Sequence, residues 1–139
     1  MDKRAIILFL LRFSTGIYLA LWGIDKLINA GRAVSLSDRF YGGLVSAESI
    51  IPIIGILQII VGVTVMLGVV RKISYTAQLG LYLIGIVPII GYILDPFAAY
   101  LVETAHLTWF PSTTLLFASA IIIVFKEFDT ISLDHKRGK

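Results

Sequence analysis

Arg12 is the residue whose chemistry stands out first, because it lies about seven residues inside the apolar segment 5–27. At 1.5 Å per residue that is a depth of roughly 10 Å. A charge so deep usually faces a bundle interior. On a helix, Arg12 shares one stripe with Gly16, Gly23 and Lys26, and the two glycines would let a second helix approach closely. We therefore predict that Arg12 points inward; the alternative is that its guanidinium snorkels back to the lipid headgroups.

Gln58 is the lone polar side chain near the middle of a second apolar segment, 50–70, where Gly55 and Gly62 flank it. Its expected depth lies within roughly 10 Å of that of Arg12. An amide oxygen accepts a hydrogen bond without adding charge. We predict that Gln58 is a hydrogen-bond partner of Arg12. The alternative is an ordinary interhelical hydrogen bond of about 0.6 kcal/mol with no further role.

Ionisable residues also gather where the apolar segments end, on the side away from the N-terminus. These are Asp25, Lys26, Glu48, Asp95 and His106. At the mouth of a helix bundle such groups could dock the head group of a proton-linked ligand. The alternative is that they are solvated loop charges.

The composition sets the class of protein that must position these residues. Of 139 residues, 58% are hydrophobic and 15% are charged, and the mean hydropathy is +0.91. Soluble domains are about half apolar and about one quarter charged, so a soluble globular enzyme and a disordered chain are both excluded. The chain has no cysteine. It therefore cannot by itself build a disulfide, a zinc–thiolate site or an iron–sulfur cluster.

The apolar residues fall into four segments, each close to the roughly 20 residues that a helix needs to cross a bilayer. They cover about 5–27, 50–70, 73–94 and 107–125. No linker is long enough to separate domains. The sequence therefore predicts an all-α protein, a bundle of four transmembrane helices in a single membrane domain over 1–139. Pro88 should kink the third helix.

The distribution of lysine and arginine predicts the orientation. One side of the membrane would collect Lys3, Arg4, Arg71, Lys72, Lys126, Lys136, Arg137 and Lys139, and the other only Lys26, Arg32 and Arg39. By the positive-inside rule both termini are then cytoplasmic. Because these charges sit at segment ends and form no single patch, the net charge of +3 does not indicate a nucleic-acid partner.

The long loop 28–49 carries one structural signal. Ser37 through Tyr41, followed by Gly42 and Gly43, is typical of a short capped helical turn ended by glycine. We predict that this turn rests on the membrane surface or covers the outer mouth of the bundle.

Three stretches of this pattern together resemble the DoxX family, and they span nearly the whole chain. The first helix has the family's Arg…Gly…Gly-x-x-Lys-Leu order, the second resembles its G-x-x-E-x-x-x-G…LG-x-x-x-R segment, and the end matches its Ser-Leu-Asp. The matching residues are Arg12, Gly16, Gly23, Lys26 and Leu27; Gly55, Gly62, Leu67, Gly68 and Arg71; and Ser132, Leu133 and Asp134. Gln58 replaces the family's glutamate, and Glu127 and Asp129 replace glycines.

The resemblance implies a multi-pass protein of the inner (cytoplasmic) membrane. It favours an accessory subunit of a redox complex, such as a thiosulfate:quinone oxidoreductase or an oxidative-stress system. A non-enzymatic assembly factor for another membrane protein is the alternative, and a small oligomeric transporter is a weaker one. The expected partners are the lipid bilayer and a second membrane protein or further copies of this chain.

Cofactor chemistry is limited by the side chains present. His106 and His135 lie on opposite sides of the predicted membrane, so one chain cannot supply a bis-histidine haem site. No phosphate loop, catalytic triad or metal-ligand cluster occurs, and we expect no autonomous enzyme, no metal and no cofactor held by this chain alone. A quinone needs only an apolar groove and one or two polar contacts. Arg12 or Gln58 in a groove wall could provide these contacts.

Overall fold

The computed structural model describes residues 2–41, 49–103 and 109–138, and all regular structure in these ranges is helical. The α-helices are α1 (Lys3–Ile28), α2 (Ala30–Tyr41), α3 (Ile50–Leu67), α4 (Arg71–Ile86), α5 (Ile90–Leu94), α6 (Trp109–Val124) and α7 (Leu133–Lys136). Three stretches are long and apolar enough to cross a membrane, namely α1, α3 and Arg71–Leu94. The all-α class is confirmed.

The fourth predicted membrane segment, 107–125, overlaps a shorter helix. Within the described residues α6 has 16 residues, fewer than the roughly 20 that cross a hydrocarbon core. It nevertheless joins the common core. Side chains from α1, α3, α4 and α6 meet in one buried apolar cluster of Leu19, Val61, Val65, Tyr75 and Ile122. Four helices therefore converge on a single apolar centre.

The closest packing lies between α1 and α3, where glycines bring the two backbones together. Gly16 faces Gly62 and Gly23 faces Gly55, so the helices run antiparallel. A Cβ atom on Gly16 would lie 2.7 Å from the carbonyl oxygen of Gly62. A side chain at these positions would therefore force the helices apart.

Pro88 interrupts the third apolar segment as predicted. It lies in a 3-10 turn, Val87–Ile89, that separates α4 from α5. Proline cannot donate a backbone hydrogen bond and its ring clashes with the preceding turn, so a break occurs there.

The helical turn predicted at residues 37–41 is the end of a longer helix. The chain forms a 12-residue helix, α2, on which Ala33 and Ser37 are buried. It starts this early because the carbonyl oxygen of Asn29, the residue that caps α1, accepts hydrogen bonds from the N–H groups of Arg32 and Ala33 at 3.0 and 3.2 Å. Gly42 and Gly43, the expected stop signal, lie outside the described residues.

The α1–α3 contact predicts opposite effects for the same substitution at two glycines. Gly62→Ala would place Cβ 2.8 Å from the backbone nitrogen of Ala20 and should destabilise the protein by about 1–3 kcal/mol through overpacking. Gly80→Ala in α4 meets nothing within 4 Å and should stabilise by about 0.5–1 kcal/mol through helix propensity. Thermal unfolding in detergent measures both. Equal stabilities would contradict the close packing.

Candidate functional site

Arg12 lies inside the molecule, with 1% of its side chain exposed. Its guanidinium packs over the ring of Phe9, one turn earlier on α1, at 5.3 Å from the ring centroid. Its Nε lies 3.7 Å from Oδ1 of Asp129, which is equally buried. The guanidinium therefore does not snorkel to the headgroups; a carboxylate neutralises it in the interior.

Asp129 reaches this position because the 3-10 turn Lys126–Phe128 separates it from the end of α6. Its other oxygen, Oδ2, accepts a hydrogen bond of 2.6 Å from the hydroxyl of Tyr75. Asp129 Oδ1 and the Arg12 nitrogens Nε and Nη1 have no hydrogen-bond partner among the described residues. The pair is thus an electrostatic contact, held on one side by Tyr75.

Gly68 makes room for this ion pair. It caps α3 in the left-handed conformation, with φ of 66°, which glycine adopts at no steric cost. A Cβ atom there would collide with Nη1 of Arg12 and lie 2.5 Å from Cβ of Ser132. Gly68 is therefore required twice, by the backbone conformation and by the guanidinium beside it.

The C-terminal segment is fastened to the same place by a second ion pair. Asp134 Oδ2 accepts a 2.8 Å hydrogen bond from the backbone N–H of Arg71 and lies 3.9 Å from its Nε. The N–H of Asp134 donates to the carbonyl oxygen of Gly68 at 3.1 Å. Ser132 Oγ donates to the carbonyl oxygen of Asp129 at 2.8 Å. The Ser-Leu-Asp sequence thus ties the tail to the α3–α4 turn.

The contacts of the C-terminal segment support a strained backbone conformation at Val70. It precedes α4 with φ of 50°, in the left-handed region. For a β-branched residue this conformation is strained, at a cost of order 1–3 kcal/mol. The next residue, Arg71, donates its N–H to Asp134 and its Nη1 to the carbonyl oxygens of Lys126 and Asp129 at 3.2 and 3.3 Å. The tail therefore holds the strained turn in place.

The predicted hydrogen bond between Arg12 and Gln58 is wrong. Gln58 Oε1 is buried without a hydrogen-bond partner. On antiparallel α1 and α3, Gln58 lies between the two glycine contacts, whereas Arg12 lies one turn beyond the contact of Gly16. The two residues are therefore at different heights.

A second polar contact lies deeper in the bundle, away from Gln58. The hydroxyl of Tyr82 on α4 donates to the carbonyl oxygen of Thr15 on α1 at 2.7 Å. The hydroxyl of Thr15 donates to the carbonyl oxygens of Leu11 and Arg12 at 3.0 and 3.3 Å. Gln78 is buried one turn before Tyr82. These groups join α1 to α4.

Asp95, expected in an ionisable group at the outer mouth, instead organises its own loop. Its carboxylate accepts hydrogen bonds from the backbone N–H groups of Ala99, Tyr100 and Leu101 at 2.8, 2.7 and 2.7 Å. The bond from Leu101 lowers the pKa of Asp95 most, with those from Tyr100 and Ala99 next, and together they bring the pKa to about 2. The carboxylate of Asp95 therefore stabilises the conformation of its own loop.

The other members of that predicted group do not assemble around Asp95 within the described part of the chain. Lys26 places its Nζ over the ring of Trp22, 5.0 Å from the centroid. Asp25 pairs with Arg32 at 3.3 Å and accepts from Asn29. Glu48 and His106 lie outside the described residues. The described charged residues at this end therefore each interact with neighbours in their own helix end or loop.

Sequence reasoning missed Asp129, Tyr75 and the partners of Arg71. A signal was present, since Asp129 and Asp134 follow the last apolar segment on the side where Arg12 enters. The described residues contain no group of three His, Cys, Asp or Glu that could hold a metal ion. What the arrangement does is to neutralise charge and fix geometry.

Comparison with family models, curated proteins and solved structures finds no match. The resemblance to the DoxX family therefore rests on the sequence motifs alone.

The buried pair predicts that removing one partner costs more than removing both. Arg12→Ala leaves Asp129 buried without its cation and should destabilise by about 3–5 kcal/mol. The double variant Arg12→Met/Asp129→Leu should recover much of that loss, because apolar groups can replace a buried pair. Unfolding in detergent of wild type, Arg12→Met, Asp129→Leu and the double variant measures the cycle. Arg32→Ala, which removes an exposed pair with Asp25, is the control of small effect. Strict additivity would show that the two groups do not interact.

The Asp95 loop predicts a one-sided dependence on pH. The folded pKa of about 2 lies below the usual value of about 3.9, so the loop is stabilised above that usual value and loses this stabilisation as the pH falls through about 2. Carboxyl NMR should give that midpoint, and protection of the Ala99–Leu101 amides from hydrogen exchange should fall with it. Asp95→Asn should abolish this pH dependence; an ordinary midpoint in the wild type would contradict the geometry.

Proposed function

We propose that the chain is an integral membrane accessory subunit of a redox complex, which docks on its partner through exposed apolar helix faces and contacts a membrane quinone. One observation carries the proposal. The buried charged groups at one end of the bundle are paired with each other, whereas large apolar side chains of α1, α3, α4 and α6 face outward.

The outward surface of α4 and α5 supports docking. Its exposed side chains include Leu83, Ile84, Val87 and Ile90, and the most apolar window of Arg71–Leu94 is only 11% buried. Within a bilayer, helices associate through close packing, which small residues permit. Gly80 and Gly85 offer such sites, because a Cβ atom on either would meet nothing within 4 Å. A partner helix could therefore approach this surface closely.

A groove between α1 and α6 supports contact with a quinone. It has a volume of about 180 Å³ and is lined by Arg4, Ile7, Leu8, Ile121, Phe125 and Phe128. Cavities of about 150 Å³ accept a benzene ring, so the groove fits a quinone ring with its tail in the lipid. Arg12, expected in the groove wall, is closed inside instead. Arg4 borders the groove, but its guanidinium packs over the ring of Phe128 at 4.3 Å and pairs with Asp2, so the groove offers the ring an apolar wall. A bound quinone would supply reversible electron and proton uptake, and these residues would bind and orient its ring.

The topology belongs to the same proposal. Four membrane crossings with both termini in the cytoplasm agree with the lysine and arginine distribution. The clustering of the α3–α4 turn with the C-terminal segment also agrees, since it places both at one end of the bundle. The inner membrane is the expected location.

Docking through α4 predicts a specific effect of bulk at Gly85. Gly85→Leu adds a side chain in open space, so it should leave the chain folded and yet reduce recovery of the partner by about tenfold or more. Gly31→Leu on α2, where a Cβ atom also meets nothing within 4 Å, is the matched control and should have no effect. Affinity purification from native membranes, with mass spectrometry of proteins and quinone, makes the measurement.

The same preparations separate the alternatives. The proposal is supported if redox subunits are recovered in a constant ratio to this chain. It also requires that quinone is recovered with the wild type and lost in Phe125→Ala. Substoichiometric recovery of an immature, unrelated membrane complex would identify an assembly factor. Recovery of further copies of this chain alone, in wild type and Gly85→Leu alike, would refute docking through α4.

A further inference from the structure

A second cleft opens on the other side of α6, beside the fastened tail. It has a volume of about 120 Å³ and is lined by Arg71, Lys72, Tyr75, Thr76, Ile123 and Lys126. Three of the six lining residues are cationic, and none is acidic. Ile123 and the ring of Tyr75 give it an apolar wall.

The nearby carboxylates leave two of these cations uncompensated. Asp129 faces Arg12 at 3.7 Å, and Asp134 faces Arg71 at 3.9 Å, so these four charges cancel. The ion pairs of the described residues include neither Lys72 nor Lys126. The cleft therefore carries the charge of two lysines, half of which a monoanionic phosphodiester would neutralise.

If the long apolar helices span a bilayer, the cleft at their ends lies at the level of the lipid phosphates. Lys72 is in the first turn of α4, and Lys126 follows the end of α6, so both mark the boundary between an apolar helix and water. Their sequence neighbours Ile73 and Phe125 are exposed and apolar. Basic pockets between membrane helices on the cytoplasmic side bind the head groups of anionic lipids. The volume suits a phosphate, with the acyl chains outside on the apolar helix faces.

We infer that this cleft, formed by Lys72, Lys126 and the wall of Ile123 and Tyr75, is a binding site for the phosphate head group of an anionic membrane lipid. The site requires that this end of the bundle lies at a membrane surface, but it does not depend on a redox partner or on the quinone groove. Lys72 and Lys126 bind the phosphate, while Arg71 remains engaged with Asp134 and shapes the floor.

Native mass spectrometry of the full chain released from phosphatidylglycerol or phosphatidylcholine nanodiscs tests the site. Wild type should retain phosphatidylglycerol in preference to phosphatidylcholine. Lys72→Gln/Lys126→Gln should weaken that retention by about thirtyfold, as expected for two interfacial cations. Lys3→Gln/Lys136→Gln removes the same charge at exposed positions outside the cleft and should retain the lipid. Lys72→Arg/Lys126→Arg, which keeps the charge, should retain it too.

Each other outcome overturns the inference. Equal losses in both glutamine variants would show only a general attraction to charge. Equal retention of the two lipids would show that the phosphate of an anionic lipid is not selected. Displacement of the lipid by millimolar inorganic phosphate would assign the cleft to free phosphate. Without added lipid, the thermal unfolding midpoints of the variants should agree within about 2 °C. A lower midpoint in Lys72→Gln/Lys126→Gln, not restored in Lys72→Arg/Lys126→Arg, would mean that the lysines act in folding.

Discussion

The buried contact between Arg12 and Asp129 is the constraint on which one end of this molecule depends. A guanidinium inside an apolar bundle is costly unless a carboxylate accompanies it, and no carboxylate lies on the helices around it at that height. The chain meets the requirement with a residue beyond its last long helix. Three other features follow from this contact, because each helps the C-terminal segment to bring Asp129 back to Arg12. They are Gly68, the strained Val70 and the Ser-Leu-Asp tail.

The polar interior is therefore better understood as architecture than as chemistry. Tyr75 fixes one oxygen of Asp129, and Arg71 spans the α3–α4 turn and the tail. Both residues also border the lysine cleft. The surfaces that remain for interaction are the outward helix faces, the groove beside Arg4 and the lysine cleft, all at the periphery.

Much of the fold could be predicted from local pattern, and little of the site. The apolar runs, the glycines of α1 and α3, and the break at Pro88 depend on neighbours a few residues apart, which the sequence displays. The partner of Arg12 depends on the register of α1 against α3 and on the return of the tail, which are tertiary facts. Depth estimated by counting from helix ends placed Gln58 beside Arg12, although the glycine contacts set these two residues at different heights. The prediction that Asp95 belongs to an ionisable group at the outer mouth failed for a related reason. Its carboxylate accepts hydrogen bonds from backbone N–H groups of its own loop.

The tail contact also has a consequence for biogenesis. Ribosomes deliver a chain from its N-terminus, so Arg12 is made long before Asp129 and Asp134. Throughout that interval the guanidinium has no intramolecular counterion, and α1 has reason to stay near the aqueous boundary or beside the insertion machinery. Closure of the bundle then has to await synthesis of the segment that carries Asp129. A nascent chain cut short before Asp129 would carry an uncompensated charge in its core, which is a feature that membrane quality control can recognise.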